Sequence, residues 1–148
     1  MIEIEKIKKL REETNLSISE CKRALEISKG NLEKAREILK ESKNYISPKI
    51  EKKETKQGIV VSYIHSTKKI GVMLELLCET DFVSKSKDFQ QLAHEICLQI
   101  AANSFGDLPI LEQPWIKNQS ITIGDLIKDY IAKFGENIKL GRFVRFEI

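Results

Sequence analysis

The spacing of apolar residues changes along the chain, and this change most limits how the chain can fold. Before residue 43 the apolar residues recur every three to four positions, as they do on one face of an α-helix. From Gly58 they recur at every second position, as on one face of a β-strand. We therefore predict a helical module and a sheet-containing domain, joined by the segment in which neither periodicity holds.

Residues 1–42 are predicted to form three short helices that serve as a partner-docking module. Ser17 and Glu20 fit a capping box at the start of the second helix. Gly30 supplies a left-handed residue at its end, and Asn31 caps the third helix. The predicted buried stripe of the second helix consists of Ile18, Cys21, Ala24 and Leu25. Such a bundle buries a very small core, which leaves no room for a ligand pocket.

Residues 43–57 contain a proline and mixed charges, and we interpret them as a linker with room for a short helical piece. Residues 58–148 are predicted to form an antiparallel sheet packed with helices, so the fold class is α+β. The predicted elements are a hairpin with its turn at 66–69, a helix from about Ser86 to Asn103, a short extended piece at 111–116, a helix between Thr122 and Gly135, and a last strand at 138–148.

Charge and composition bear on the partners and the compartment. The 25 basic and 22 acidic residues are interspersed, whereas a nucleic-acid binder usually has a concentrated basic face, so only the lysine-rich linker suggests an RNA-binding protein. No apolar run approaches the roughly 20 residues that span a membrane, and no signal or transit pattern is seen. The 20 lysines against five arginines, with 21 isoleucines, indicate an AT-biased genome. We expect a cytoplasmic protein, or a plastid or other organelle stroma protein if an organelle genome encodes it.

The sequence offers little for covalent chemistry. Cys21, Cys78 and Cys97 are widely spaced and sit among apolar residues, which is typical of small buried side chains in a reducing compartment. His65 and His94 have no candidate nucleophile beside them and are interpreted as satisfied or surface histidines. No glycine-rich phosphate loop is present. We therefore predict neither a metal nor a cofactor, and no enzyme.

The segment Thr80-Asp81-Phe82-Val83 places a large aromatic residue beside an acid, where a buried strand meets a helix. In one interpretation Phe82 packs into the core while Asp81 or Ser84 stabilises the turn. In the other, Phe82 points outward from a rigid turn as an anchor for a binding partner, with the neighbouring charge steering it. The residue pattern by itself leaves both interpretations open.

The order of these segments resembles that of elongation factor Ts. Residues 7–39 resemble the family's N-terminal module, a ubiquitin-associated-like three-helix fold. Residues 58–65 and 70–101 are similar to its hairpin, its Thr-Asp-Phe-Val loop and the helix that follows. Residues 111–148 resemble its closing helix, its Gly-Glu-Asn-Ile turn and its last strand, within a dimerisation-type domain. The similarity runs in order over nearly the whole chain.

The resemblance implies a guanine-nucleotide exchange factor of translation, which promotes Mg²⁺ and GDP release from elongation factor Tu and is not an enzyme. The exchange loop, which would enter the partner's GTPase domain near the bound magnesium, would consist of Thr80, Asp81, Phe82 and Val83. The helical module would contact the same GTPase domain through Arg11, Ile18, Ser19 and Lys22. The alternative is a passive partner-binding module without exchange activity.

The chain departs from the family pattern in two places. Ile18 and Ser19 stand where the family has paired methionines. Several dozen residues that the family carries between the positions of Asn103 and Leu111 are missing, which leaves one core half-domain. Short members of the family pair two such cores across their sheets. We therefore expect a homodimer held by apolar positions on the C-terminal strand or the hairpin, with a 1:1 complex with the partner as the alternative.

Overall fold

The computed structural model describes residues 4–14, 16, 18–41 and 48–148. The chain divides into two compact units, which we call the helical unit, Met1–Glu51, and the mixed unit, Lys52–Ile148. Ser17, predicted to open the second helix, lies outside the described residues, as do residue 42 and residues 43–47 of the predicted linker. Among the helices of the described residues, none combines the length and the apolar character needed to cross a bilayer.

The helical unit follows the predicted order of helices. Its elements are α1 (Ile4–Thr14), α2 (Ile18–Ile27), α3 (Leu32–Lys40) and the short α4 (Pro48–Glu51). Gly30 has a φ of +84°, and its N–H donates to the Leu25 carbonyl at 2.8 Å, as in a glycine-terminated helix end. Asn31 caps α3, since its side chain accepts the Lys34 backbone N–H at 3.2 Å. Both predicted helix boundaries are confirmed.

The core of the helical unit is small and apolar. It contains Leu10, Leu16, Cys21, Ala24, Leu25, Ala35 and Leu39. The prediction that Ile18 belongs to this buried stripe is wrong, because the Ile18 side chain is 53% exposed. At this end of α2 it is Leu16 that is buried, although it precedes the first helical residue. Helical spacing identified the face of α2 correctly from Cys21 onward but not in its first turn.

The mixed unit is an antiparallel sheet packed with helices, which confirms the α+β prediction. Its elements are β1 (Gln57–Ile64), β2 (Ile70–Cys78), α5 (Asp81–Ser84), α6 (Lys87–Ala102), a 3-10 turn (Ile110–Glu112), β3 (Pro114–Trp115), β4 (Asn118–Thr122), α7 (Ile123–Phe134) and β5 (Ile138–Glu147). Within residues 52–148, all of which are described, the main sheet has the order β1-β2-β5, and β3 pairs with β4. The central strand β2 therefore has a hydrogen-bonded neighbour on each edge.

One face of the main sheet forms the core with α6. Val72, Leu74, Leu76 and Cys78 alternate along β2 and are buried, as predicted from their period of two. Phe89, in the first turn of α6, is completely buried. Ser86 caps α6 by accepting the Phe89 N–H at 3.2 Å, and the left-handed Asn103 ends it. The predicted bounds of this helix are confirmed.

Two parts of the mixed unit differ from the prediction. Residues 80–86, for which no helix was predicted, contain the single helical turn α5, because Thr80 and Ser86 both act as helix caps and leave room for one turn between them. The extended piece predicted at 111–116 is a 3-10 turn followed by β3, and its partner β4 was not predicted. β4 carries mostly polar, exposed side chains, so no alternation marks it in the sequence.

Candidate functional site

The turn α5 presents Phe82 to solvent. Phe82 is 87% exposed, whereas the adjacent Val83 is 4% exposed and packs inward. Successive residues of a helix point about 100° apart, so a single turn can bury one side chain and expose its neighbour. The Ser84 hydroxyl donates to the Asp81 carbonyl at 2.9 Å and so stabilises the turn. Of the two interpretations of this segment, the outward-pointing aromatic is therefore the one observed.

Thr80 fixes the start of α5 through hydrogen bonds to three parts of the chain. Its side-chain hydroxyl accepts the Val83 backbone N–H at 3.3 Å, which is the helix cap. Its own N–H and hydroxyl donate to the two carboxylate oxygens of Glu136, at 3.1 and 2.7 Å. The Cys78 thiol donates to the Thr80 carbonyl at 3.2 Å. Phe82 is thus presented by a turn whose cap, Thr80, forms hydrogen bonds through its N–H, its hydroxyl and its carbonyl.

The electrostatic surroundings of this turn are acidic. Burial and the nearby Glu136 carboxylate raise the pKa of the Cys78 thiol, so the thiol stays protonated and remains a donor to Thr80. The Asp81 carboxylate lies 3.3 Å from the Lys85 ammonium, but both side chains are more than 60% exposed. Such exposed pairs contribute only about 0–1 kcal/mol, so a partner can replace Lys85 at little cost.

The predicted docking residues lie on the surface of the helical unit. Ile18, Ser19 and Lys22 are exposed on α2. Ile18 and Lys22 are one turn apart and share a face of the helix. Arg11 is exposed in the last turn of α1. These residues and the exchange loop belong to different compact units.

Prediction from the sequence missed the residues that hold the exchange loop. From the sequence, Glu136 was interpreted only as part of a turn, and Glu79 was given no role in the site. In the structure Glu136 binds Thr80, and Glu79 accepts the Asn137 backbone N–H at 2.5 Å. The relevant signal is the pairing of β2 with β5, which sets Cys78 opposite Ile138 and so brings the residues following one strand beside those preceding the other.

The histidines and cysteines are arranged as predicted. The His65 ring nitrogen Nδ1 is 2.9 Å from the Tyr63 hydroxyl, and His94 is exposed on α6. Cys21, Cys78 and Cys97 are free and buried. Over the described residues, His, Cys, Asp and Glu side chains form no group that could hold a metal ion.

Comparison with known proteins gives consistent results. Residues 79–148 match the family model described as Elongation factor TS. The chain is 38% identical to Elongation factor Ts of Thermodesulfovibrio yellowstonii, over 96% of this chain and 94% of the relative. It is 37% identical to that of Methylacidiphilum infernorum, over 96% and 92%, and 36% identical to that of Carboxydothermus hydrogenoformans, over 100% and 89%. The first alignment spans 187 positions against 148 residues here, so that relative has segments that this chain lacks.

Proposed function

Because this chain belongs to the elongation factor Ts family of translation factors, we propose that it is a guanine-nucleotide exchange factor for elongation factor Tu. In this proposal the exchange loop enters the partner's GTPase domain, disturbs the magnesium site and promotes release of Mg²⁺ and then GDP. The observation that supports it best is the 87% exposure of Phe82 on a turn fixed by side-chain hydrogen bonds. The chain itself undergoes no covalent step and needs no cofactor, so it is not an enzyme.

The required energies are within reach of such a loop. A factor accelerates release when it binds the distorted partner more tightly than the nucleotide-bound one. A 1000-fold acceleration needs about 4 kcal/mol of differential binding. Burial of one exposed phenylalanine supplies about 1.5–3 kcal/mol. Charge-assisted contacts of Asp81, released from its exposed pair with Lys85, supply the remainder.

The docking residues would hold the partner while the exchange loop acts. Arg11 and Lys22 present exposed cations, and Ile18 presents an exposed apolar side chain one helical turn from Lys22. We propose that these residues, with Ser19, contact the GTPase domain. The complex would form where translation occurs, in the cytoplasm or an organelle stroma.

Release of a fluorescent GDP analogue from elongation factor Tu tests this function. Catalytic amounts of the wild-type chain should accelerate release, and Phe82→Ala should abolish most of the gain because the anchor is lost. Leu108→Ala is a matched control, since Leu108 is also exposed but lies beyond the opposite end of α6. If the wild type co-elutes with elongation factor Tu and leaves the release rate unchanged, the chain is a passive binding module and the proposed function is wrong.

We also propose that a second copy of this chain covers the open face of the sheet. The β1-β2-β5 register places five exposed apolar side chains on that face, namely Val60, Ile64, Met73, Val144 and Phe146. Glu75 and Arg142 form an ion pair beside them. In a dimer with a two-fold axis, Glu75 of one copy can therefore lie opposite Arg142 of the other. Sedimentation of the purified chain should give a dimer, and Met73→Glu should give a monomer. A monomeric wild type at high concentration would exclude this dimer.

A further inference from the structure

The strand register extends beyond the sheet as a ladder of side-chain hydrogen bonds. Cys78 ends β2 opposite Ile138, the first residue of β5. The Glu79 carboxylate then accepts the Asn137 backbone N–H at 2.5 Å, and the Thr80 hydroxyl donates to Glu136. The exchange loop therefore begins at a point fixed by a segment more than 50 residues away in the sequence.

Glu136 determines how Thr80 can cap α5. An ionised carboxylate only accepts hydrogen bonds, so the Thr80 hydroxyl must direct its hydrogen toward Glu136. The observed Oγ1–Oε2 distance of 2.7 Å is that of a charge-assisted bond. The hydroxyl lone pair is then free to accept the Val83 N–H at 3.3 Å. The Thr80 hydroxyl thus links Glu136 to the first turn of α5.

Glu136 is itself held between fixed neighbours. Gly135 ends α7 in the left-handed conformation, with a φ of +70°. On the other side, Asn137 is 4% exposed, and its side-chain amide donates to the Lys53 carbonyl at 2.9 Å. Ile138 follows in the core at 3% exposure. The backbone of Glu136 is therefore held on both sides, by the end of α7 and by the buried start of β5.

We infer that Glu136 is a positioning residue, which holds Thr80 so that α5 presents Phe82 in one orientation. This inference rests on the proposed exchange function. Without Glu136 the loop keeps its residues but samples more orientations, which must be ordered as Phe82 reaches the nucleotide site. The binding free energy is then reduced more in the complex with the distorted partner than in the initial complex. The maximal release rate should change, and the half-saturating concentration should not.

The variant Glu136→Gln tests this directly. The Gln side chain still accepts the Thr80 N–H, but its amide nitrogen donates to the Thr80 hydroxyl instead of accepting from it, so the charge-assisted bond that orients this hydroxyl is lost. We expect the maximal rate of GDP release to fall about fivefold to tenfold, with the half-saturating concentration within about twofold. Asp88→Asn is the matched control, because it also neutralises an acid near this end of the mixed unit, in an exposed pair with Lys133. The Asp88→Asn variant should accelerate GDP release from elongation factor Tu as the wild type does.

Variants of Thr80 separate positioning from general stability. Thr80→Val removes the hydroxyl that joins Glu136 to the helix cap, and it should lower the maximal rate of GDP release. If the two residues act through one contact, adding Glu136→Gln to Thr80→Val should lower the rate little further. An unchanged maximal rate in Glu136→Gln, or a loss that is fully additive with Thr80→Val, would overturn the inference.

Amide hydrogen exchange provides a readout that does not depend on activity. In Glu136→Gln the Thr80 and Val83 amides should exchange about tenfold faster than in the wild type, while the buried β2 amides keep their rates. Suppose that the wild-type chain does not accelerate GDP release from elongation factor Tu, but that the Thr80 and Val83 amides exchange faster in Glu136→Gln. The proposed function is then wrong, and the role of Glu136 in holding Thr80 is supported. If the wild type accelerates GDP release but the Thr80 and Val83 amides of Glu136→Gln exchange at the wild-type rate, the positioning role is wrong.

Discussion

The helical unit and the mixed unit both expose apolar side chains at their candidate sites, but they fix those side chains differently. Ile18 projects from the first turn of a ten-residue helix, which the buried Cys21, Ala24 and Leu25 anchor in the core of the helical unit. Phe82 projects from a four-residue turn, which is too short to be stable alone. Thr80, which caps this turn, forms hydrogen bonds with Glu136 and Cys78, which lie outside the turn.

This difference indicates a division of work between the units. A side chain on a regular helix needs only its own helix to be placed, which suits a surface that holds a partner. A turn held by contacts from distant segments can present one residue at a defined angle, which suits insertion into a nucleotide site. Docking variants should therefore change affinity, and exchange-loop variants should change the maximal rate.

The largest expected effect contrasts two phenylalanines of the mixed unit. Phe89 is completely buried and packs edge-on against Phe134, so Phe89→Ala should lower the free energy of unfolding by about 3–5 kcal/mol. Phe82→Ala should change it by less than about 0.5 kcal/mol, since the side chain is 87% exposed. Urea denaturation followed by fluorescence of Trp115, the only tryptophan and a residue of this unit, measures both. Clear destabilisation by Phe82→Ala would mean that this ring belongs to the core.

A smaller effect is expected from the docking surface. Ile18→Ala combined with Lys22→Glu should raise the half-saturating concentration in the GDP-release assay about tenfold, because contacts are lost and a charge is reversed. The maximal rate should be unchanged. Ile27→Ala is a matched control, since Ile27 lies on the same helix with similar exposure, 60% against 53%, about 180° around it from Ile18. A reduced maximal rate at saturation would contradict the division between the units.

The smallest expected effect is the pH dependence of an ion pair in the helical unit. Arg36 donates to both carboxylate oxygens of Glu13, and this hydrogen bonding lowers the pKa of Glu13. A carboxyl with a lower pKa in the folded state stabilises that state above its unfolded pKa, and the contribution disappears as the pH falls through the folded pKa. Glu13→Gln should therefore slightly lower the melting temperature at pH 7 and leave it unchanged at a pH below both pKa values.

Thermal unfolding followed by circular dichroism at the two pH values measures this effect. Glu12→Gln is the control, because Glu12 is the adjacent exposed acid and its variant should melt like the wild type at pH 7. A Glu13→Gln difference that persists at the lower pH would mean that the side chain acts through packing and not through its charge.

Much of the fold was predictable because its signals are local. The period-two pattern of β2 and the caps at Asn31, Ser86 and Thr122 each lie within a few residues of what they determine. The error at Ile18 is of a different kind. Helical spacing places a residue on a face of α2, but burial in the first turn depends on how the preceding chain enters, and here Leu16 is buried at that end.

The sequence by itself determined the order of helices and strands, the buried face of β2 and the presence of an acid beside an aromatic residue at its end. Only the tertiary structure decided that Phe82 points outward and that Glu136 holds Thr80. The physical reason is that β2 and β5 are paired across the chain, and the register that sets Cys78 opposite Ile138 is a property of the whole sheet. Local patterns predict each strand, but they do not specify which distant residue will lie beside it.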